Sequence, residues 1–302
     1  MRRLVASAAI VALLATCADN GRPAVITALD DRAITVASFN FPESEVLAEL
    51  YAQALEGRGF RVQRQMDLGP RELVEPALQR GLVELVPEYA GSALGFFGVT
   101  ASSNATTAHQ QLVTALVPRG LAALSGAPAQ DRNTFVVSSA TADRLQVRSL
   151  SDLAPYAADM SFGGPAECSD RDLCLKGLQN VYGLHFKSFV TLDSGGPLTV
   201  QALNDGTVQI GLLFSSDPAI QAGGLIELTD DRGLQPAENV TPVISQVTLA
   251  RFGPTLADTL NNVSAVLQTS DLREMNAAIA DGSSPSAVAH RWLQAHGFAA
   301  RG

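Results

Sequence analysis

The stretch ITVASFNFPESEVLAELYAQALEGRGFRVQRQ, residues 34–65, establishes the type of fold. It opens with a short apolar run over 34–37, which is typical of a buried strand. Apolar side chains then recur at helical spacing over 44–58, and residues 60–65 alternate in a way that predicts a second strand. The unit is therefore strand, helix, strand, as in chains that build a parallel sheet.

The same alternation continues along the chain. A helical pattern over 70–80 and a strand over 83–86 complete a βαβαβ unit, and strands again alternate with helices from residue 134 to residue 213. Past residue 240, one more strand and three helical segments follow. We therefore predict an α/β protein of two lobes, each a mostly parallel sheet flanked by helices, with ligands at the carboxyl ends of the strands.

Composition and motif content argue against several classes of function. The chain has 302 residues, of which 46% are hydrophobic and 17% charged, a balance that fits a packed globular protein. With 30 acidic and 21 basic residues its net charge is −9, which argues against nucleic acid as a partner. The four scattered histidines lack any paired metal-ligand spacing, and no nucleotide-binding glycine motif occurs. The sequence therefore predicts neither a metal site nor a cofactor.

The N-terminal segment has the pattern of an export signal. Arg2 and Arg3 precede an apolar run over 4–16 that is too short to span a membrane. It ends at Cys17 in a sequence similar to the bacterial lipobox, although Thr16 stands where Gly, Ala or Ser is usual. We expect residues 1–17 to be a lipoprotein signal peptide and 18–32 a tether, which anchors an exported protein to the outer face of the cytoplasmic membrane.

Lipidation has two alternatives. An ordinary cleaved signal would leave a periplasmic protein, and an uncleaved signal would act as a membrane anchor. The cysteines agree with export, because Cys17 would carry the lipid and Cys168 and Cys174 would be left to form a disulfide. Two free thiols or a metal site are the alternatives for that pair, and His185 is the one histidine near it.

The string DSGGP, residues 193–197, matches the surroundings of the nucleophile in trypsin-like serine proteases. That enzyme family needs an all-β double barrel, whereas this chain alternates strands and helices. His109 is the one upstream histidine in the required order. We therefore expect Asp193 or Ser194 to cap the helix that begins near Pro197, with a secreted serine hydrolase using Ser194 as the remote alternative.

Several motifs, in order and at matching separations, make residues 34–298 similar to the substrate-binding proteins of ABC importers for glycine betaine, choline and related osmoprotectants. The segments are Ser38–Glu43 (SFNFPE), Leu85–Ser92 (LVPEYAGS), Phe162–Glu167 (FGGPAE), Val181–Leu184 (VYGL), Leu192–Pro197 (LDSGGP), Asp205–Gly206 and Ser216–Pro218.

The resemblance implies a two-lobed type II periplasmic-binding-protein fold with the ligand between the lobes. One lobe would comprise 33–132 plus 240–302 and the other 133–239. The implied function is capture of a quaternary ammonium solute and its delivery by a monomeric binding protein to an ABC permease, without catalysis. A solute-binding sensor for a membrane receptor is the alternative within the same fold.

The resemblance also implies a cage of rings around the ammonium group, because a methylated cation is attracted to ring faces. Tyr89, Phe135 and Phe214 match positions where the family commonly has rings, and Ser92 would add a hydroxyl contact. Arg171 matches an arginine that clamps the ligand carboxylate. Ordinary core packing is the alternative for each ring, and a surface ion pair is the alternative for Arg171.

Two positions depart from the family pattern. Phe39 stands where some members have a lysine that contacts the carboxylate, and Glu238 stands where a ring is expected. The loss of a cation and the gain of an anion favour a cationic solute without a carboxylate, such as choline, or one with polar groups that donate to Glu238.

Overall fold

The computed structural model describes residues 32–298. The predicted signal peptide with Cys17, and the predicted tether up to residue 31, lie outside the described residues. No helix among residues 32–298 is both long enough and apolar enough to cross a bilayer.

The first sheet opens with the predicted βαβαβ unit. Its elements are β1 (Ala33–Ala37), α1 (Pro42–Glu56), β2 (Arg61–Gln65), α2 (Arg71–Gln79) and β3 (Leu85–Tyr89). Strand β1 lies between β2 and β3 and pairs with both in parallel. The periodicity therefore predicted both the order of elements and their approximate bounds.

The remaining elements follow in chain order. Three more elements precede the first passage between sheets: α3 (Ala90–Phe96), α4 (Ala105–Leu116) and β4 (Leu121–Ala123). The second sheet and its helices comprise β5 (Asn133–Ser138), α5 (Ser139–Leu145), β6 (Ser161–Gly164), α6 (Leu175–Tyr182), β7 (Ser188–Thr191), α7 (Pro197–Asn204), β8 (Ile210–Phe214), α8 (Pro218–Gln221) and β9 (Leu225–Glu227). The chain then returns through β10 (Val240–Ser245), α9 (Gln246–Phe252), α10 (Pro254–Val266), α11 (Thr269–Ala280) and α12 (Pro285–Ala295).

Both sheets have the same topology. The strand orders are β2-β1-β3-β10-β4 and β7-β6-β8-β5-β9. In each sheet the fourth strand runs antiparallel to both of its neighbours, and it is the strand that the chain enters after passing from the other sheet. The sheets are therefore mixed, with one reversed strand each. We call the first sheet with α1–α4 and α9–α12 the first lobe, and the second sheet with α5–α8 the second lobe.

Two adjacent passages join the lobes, the first crossing (124–132) and the second crossing (235–239). They pair through an antiparallel bridge between Gln130 and Asn239. The amide of Asp131 donates to the carbonyl of Glu238 at 3.3 Å, and that of Val240 donates to the carbonyl of Ala129 at 3.0 Å. The hinge is thus a short two-stranded ribbon.

Each sheet is covered by apolar clusters on both faces. In the first lobe, α1 packs against α10 and α12, and the fully buried hydroxyl of Tyr51 shares a 2.9 Å hydrogen bond with Ser264. The C-terminal helices are therefore part of the first lobe. In the second lobe, Cys168 and Cys174 form the predicted disulfide, with their Cα atoms 5.2 Å apart.

Candidate functional site

A cavity of about 750 Å³ lies between the two lobes and reaches the hinge. It is bounded by the carboxyl ends of strands, since Tyr89 ends β3 and Phe214 ends β8. Sequence reasoning expected a ligand site at such ends. The ring-bearing, charged and other polar side chains of the lining are Phe41, Tyr89, Phe214, Glu43, Asp131, Glu238, Arg71, Arg132, Asn133, Ser92, Ser216, Gln235 and Asn276.

Three rings face the cavity from opposite sides. Phe41 stacks on Tyr89 with ring centroids 6.1 Å apart, and both belong to the first lobe. Phe214 comes from the second lobe and is 37% exposed, whereas Tyr89 is only 5% exposed. Ring faces on both sides of a cleft suit a methylated cation, which they attract without hydrogen bonds.

A hydrogen-bonded chain fixes the first-lobe wall. The hydroxyl of Tyr89 donates to Oε1 of Glu43 at 2.6 Å, and the amide of Asn276 donates to Oε2 of the same carboxylate at 2.6 Å. Burial and the charge of Glu43 raise the pKa of Tyr89, so the phenol stays protonated and remains a donor. The Asn276 amide also reaches the carbonyl of Ser216 in the second lobe at 3.2 Å. The ring is therefore held in place by contacts within the protein itself.

Glu238 lies on the second crossing with 8% of its surface exposed. Its two oxygens accept hydrogen bonds from the backbone amide and the hydroxyl of Ser92, both at 2.9 Å. A Cβ at position 91 would lie 2.9 Å from this carboxyl group, so Gly91 is required for the approach. Burial raises the pKa of Glu238 to about 7 despite these hydrogen bonds.

Asp131 is a third carboxyl group in the cavity. Its Oδ1 accepts a hydrogen bond from the hydroxyl of Ser216 at 2.8 Å. Burial, reinforced by the nearby charge of Glu43, raises its pKa to about 8. A cation entering this space would favour the ionised forms of Asp131 and Glu238.

Two guanidinium groups also line the cavity, and their environments differ. Arg71 donates to both oxygens of the fully buried Glu88 at 3.0 and 2.9 Å and lies 4.8 Å above the ring of Phe39. Its charge is thereby neutralised in place. Arg132 has one ion-pair partner among the described residues, Glu227, at the longer distance of 3.9 Å.

Four of the seven predicted ligand-binding residues line the cavity, namely Tyr89, Ser92, Phe214 and Glu238. Phe39 does not, because its ring is 2% exposed and lies between Phe41, 6.0 Å away, and Arg71.

Phe135 and Arg171 also lie outside the lining. Phe135 stands mid-strand in β5 with its ring turned into the second-lobe core, edge-on to Phe162 at 5.9 Å. Arg171 is 69% exposed, with Glu167 at 4.0 Å. The position of Phe135 corresponds to the alternative of core packing, and that of Arg171 to the alternative of a surface ion pair.

Sequence reasoning missed Phe41, Glu43, Asp131, Arg132 and Asn276. Phe41 and Glu43 stand inside the SFNFPE motif and line the cavity, whereas the predicted Phe39 of the same motif does not. Asp131 and Arg132 precede the strand that carries Phe135, and nothing in their local pattern indicates that the crossing passes the cavity. Asn276 comes from a helix that arrives only through tertiary packing.

The DSGGP string has a structural role. Oδ2 and Oδ1 of Asp193 accept hydrogen bonds from the amides of Leu198 and Thr199, both at 2.9 Å, at the start of α7. Within residues 32–298 no hydrogen bond joins Ser194 to a histidine, and no group of His, Cys, Asp and Glu has the arrangement of a metal site.

Two lobes of matching topology, joined by paired crossings and separated by a cavity of rings and carboxyl groups, define a two-lobed solute-binding protein of the periplasmic-binding-protein type. Solved structures confirm the fold. A glycine betaine/carnitine/choline ABC transporter structure matches 88% of this chain and 99% of its own with a TM-score of 0.82 at 22% identity.

The chain belongs to the family described as the substrate binding domain of ABC-type glycine betaine transport systems, whose sequence profile matches residues 32–295. It is therefore a substrate-binding protein of an ABC importer, a class that acts outside the cytoplasm. The glycine betaine-binding protein YehZ of Escherichia coli is 27% identical over 269 residues, which cover 85% of this chain and 88% of that protein. Its apo structure matches 88% of this chain and 99% of its own with a TM-score of 0.77.

A longer relative is the ergothioneine transport permease/ergothioneine binding protein EgtU of Helicobacter pylori. It is 24% identical over 284 residues, which cover 90% of this chain and 49% of that protein. The similarity thus spans about half of that longer chain.

Proposed function

We propose that this protein captures a quaternary ammonium solute between its lobes and delivers it to the membrane permease of an ABC importer. The observation that carries the proposal is the combination of three rings and three carboxyl groups in one interlobe cavity. Rings supply attraction of about 0.5–2 kcal/mol each to a cation, and carboxylates supply the compensating charge.

The charge pattern favours a cation over an anion. Arg71 is paired with Glu88, whereas Glu43 faces the cavity with hydrogen-bond donors and no ion-pair partner among the described residues. Ser92 supplies the hydrogen bonds to Glu238, and no cation within residues 32–298 forms an ion pair with it. A bound ammonium group would supply the positive charge that these buried carboxylates lack.

The relatives indicate which solutes to try. Two of them are named as glycine betaine-binding proteins, and one is named for ergothioneine. All such ligands share a trimethylammonium group, which is the part that the ring cage recognises. Choline carries the same group without a carboxylate. We therefore propose a solute of this class, with choline and glycine betaine as the first candidates.

Binding would bring the lobes together. Phe214 belongs to the wall opposite Tyr89, so rotation about the hinge would enclose the cation between rings from both lobes. The energy for closure comes from contacts that exist only in the closed form. The closed, monomeric protein would then present both lobes to the permease.

Calorimetric titration tests the proposal directly. The purified protein is titrated with choline, glycine betaine, carnitine and ergothioneine, and with ammonium chloride as the control cation. We expect saturable binding of at least one quaternary solute, and loss of that binding in Tyr89→Ala. The Arg171→Gln variant is the matched control, because its side chain lies outside the cavity. Absence of binding by every quaternary solute would reject the proposal.

We further propose that Cys17 is lipidated and that the protein has no hydrolase activity. The support for lipidation is the apolar run over 4–16 that ends at Cys17. Labelling with radioactive palmitate should be lost in Cys17→Ala. A fluorophosphonate probe should leave Ser194 unlabelled, since Asp193 is engaged in capping α7.

A further inference from the structure

Two consecutive side chains of the first crossing, Asp131 and Arg132, line the cavity together. Their backbone is held against the second lobe: the amide of Arg132 donates to the hydroxyl of Ser215 at 3.0 Å, and the amide of Ser215 donates to the carbonyl of Arg132 at 2.8 Å. Both side chains therefore start from a fixed point on the hinge.

The guanidinium of Arg132 has hydrogen-bond donors that lack close acceptors in the described part of the chain. Its ion-pair partner among the described residues, Glu227, lies 3.9 Å away, beyond hydrogen-bond distance. Glu227 is itself occupied by Arg273 at 2.8 Å and by the hydroxyl of Thr134 at 3.0 Å. Arg132 thus lines the cavity with no side-chain hydrogen bond to an acceptor in the described part of the chain. A guanidinium in this state is suited to an entering carboxylate.

The carboxyl group of Asp131 has an oxygen that can still accept a hydrogen bond. Ser216 supplies hydrogen bonds to Oδ1, and Oδ2 receives none from residues 32–298. The carboxyl groups of Glu43 and Glu238 are its nearest acidic neighbours, and neither can donate to it when ionised. A hydroxyl or N–H group on a solute would satisfy this oxygen.

We propose that Asp131 and Arg132 form a polar subsite that selects zwitterionic quaternary ammonium solutes carrying a hydroxyl or N–H donor near the carboxylate. This inference rests on the proposed function, since the rings hold the ammonium end. Arg132 binds the carboxylate, the role that the family resemblance gave to Arg171, and Asp131 accepts the hydrogen bond from the donor. The size of the cavity, about 750 Å³, leaves room for such a two-part solute.

Two pairs of solutes isolate the two interactions. L-carnitine and γ-butyrobetaine differ only in one hydroxyl group, so their ratio of dissociation constants reports on the donor. Because a hydrogen bond to a carboxylate adds to affinity, we expect L-carnitine to bind at least about tenfold more tightly. Choline lacks the carboxylate, so its binding reports on the protein without the Arg132 contact.

Substitutions assign these interactions to residues. Arg132→Gln should weaken L-carnitine and γ-butyrobetaine about tenfold and change choline less than about twofold. Asp131→Ala should remove the preference for L-carnitine over γ-butyrobetaine, and Asp131→Asn should keep part of it, because the amide oxygen still accepts. Arg171→Gln is the control and should leave all ratios unchanged.

Equal binding of L-carnitine and γ-butyrobetaine by the unchanged protein would overturn the donor half of the proposal, whatever the variants do. Equal weakening of choline and L-carnitine in Arg132→Gln would overturn the carboxylate half. In both cases the proposed function survives, because solutes still bind. Failure of every quaternary solute to bind the unchanged protein would instead reject the proposed function and the subsite with it.

Discussion

The two walls of the cavity are built differently. On the first-lobe wall Tyr89 is nearly buried and hydrogen-bonded to Glu43, which Asn276 also holds. On the second-lobe wall Phe214 and Leu173 are 37% and 42% exposed and have no comparable network among the described residues. One wall is held by its own hydrogen bonds, and the other has apolar surface left to bury.

This difference assigns separate tasks to the lobes. Preorganised groups bind without a further cost in side-chain entropy, so the first lobe is suited to initial capture. Exposed rings gain burial only when the cleft closes, so the second lobe is suited to retention. Three of the following four experiments test this division, and the third tests the electrostatics of the first lobe itself.

The largest effect is expected from removing rings one wall at a time. Tyr89→Ala should weaken choline binding by about thirtyfold or more, because it removes a buried ring and the donor that orients Glu43. Phe214→Ala should weaken it only about threefold. Calorimetric dissociation constants measure both, and Tyr89→Phe, which keeps the ring, is the control. A larger loss from Phe214 than from Tyr89 would reverse the assignment of the walls.

The next effect is on pH dependence. The pKa of Glu238 is raised to about 7 and that of Asp131 to about 8, with Glu43, Arg71 and Glu88 as the other charges nearby. A bound cation lowers both pKa values, so protons leave on binding and affinity should rise from pH 6 to pH 9, by about tenfold.

Choline is the ligand to use for this profile, because it does not titrate in that range. Glu238→Gln should flatten the lower part of the profile, whereas Arg171→Gln should leave it unchanged. An affinity for choline that falls as pH rises would contradict the role of these carboxyl groups.

A third experiment concerns stability, again on the first lobe. Glu75 of α2 is fully buried, and burial together with the charge of Glu88 raises its pKa to about 9. Between its unfolded pKa near 4.5 and about 9 the folded protein holds a proton that the unfolded chain releases, so stability should fall as pH rises through this window.

Glu75→Gln should remove this dependence and stabilise the protein by about 1–3 kcal/mol at pH 9, with little change at pH 5. The free energy of unfolding in urea at both pH values measures it. Glu167→Gln, at an exposed position in the second lobe, is the matched control. A pH profile that Glu75→Gln leaves unaltered would place the responsible proton elsewhere.

The smallest effect is expected from Arg171→Gln. The side chain is exposed on the second lobe and outside the cavity, so the dissociation constants for glycine betaine and choline should change by less than about twofold. A tenfold weaker binding of glycine betaine alone would show that closure carries Arg171 into the cleft. The second-lobe wall would then contribute a positive charge to the site.

Local patterns were sufficient for most of the fold. Apolar periodicity predicted β1 to β3 and their helices, because each of these elements buries a regular face. It missed β4 and β9, which have three residues each and contribute too few side chains to show a period. The reversed strand in each sheet depends on where the crossings lead, which no local window contains.

The site was less accessible to sequence reasoning than the fold. The predicted residues Tyr89 and Glu238 line the cavity, and both stand in segments that the family resemblance covers. The predicted Phe135 lies outside the cavity lining, because the face on which a strand residue lies depends on register. Phe135 points into the core from mid-strand, whereas Phe214 ends its strand at the cavity. The position of Asn276 at the cavity depends on the tertiary packing of α11, which no local pattern contains.

The pairing of the two crossings has a kinetic consequence. Asp131 and Glu238 lie on the ribbon about which the lobes rotate, so their positions change least between open and closed forms. A solute that meets these groups first keeps them as partners throughout closure, and the association rate constant should depend on them and on salt. Phe214 faces the cavity from the second lobe and is 37% exposed, so its ring should gain contacts later, on closure, and should set the dissociation rate constant. Loading and unloading would then be tuned by different substitutions within one cleft.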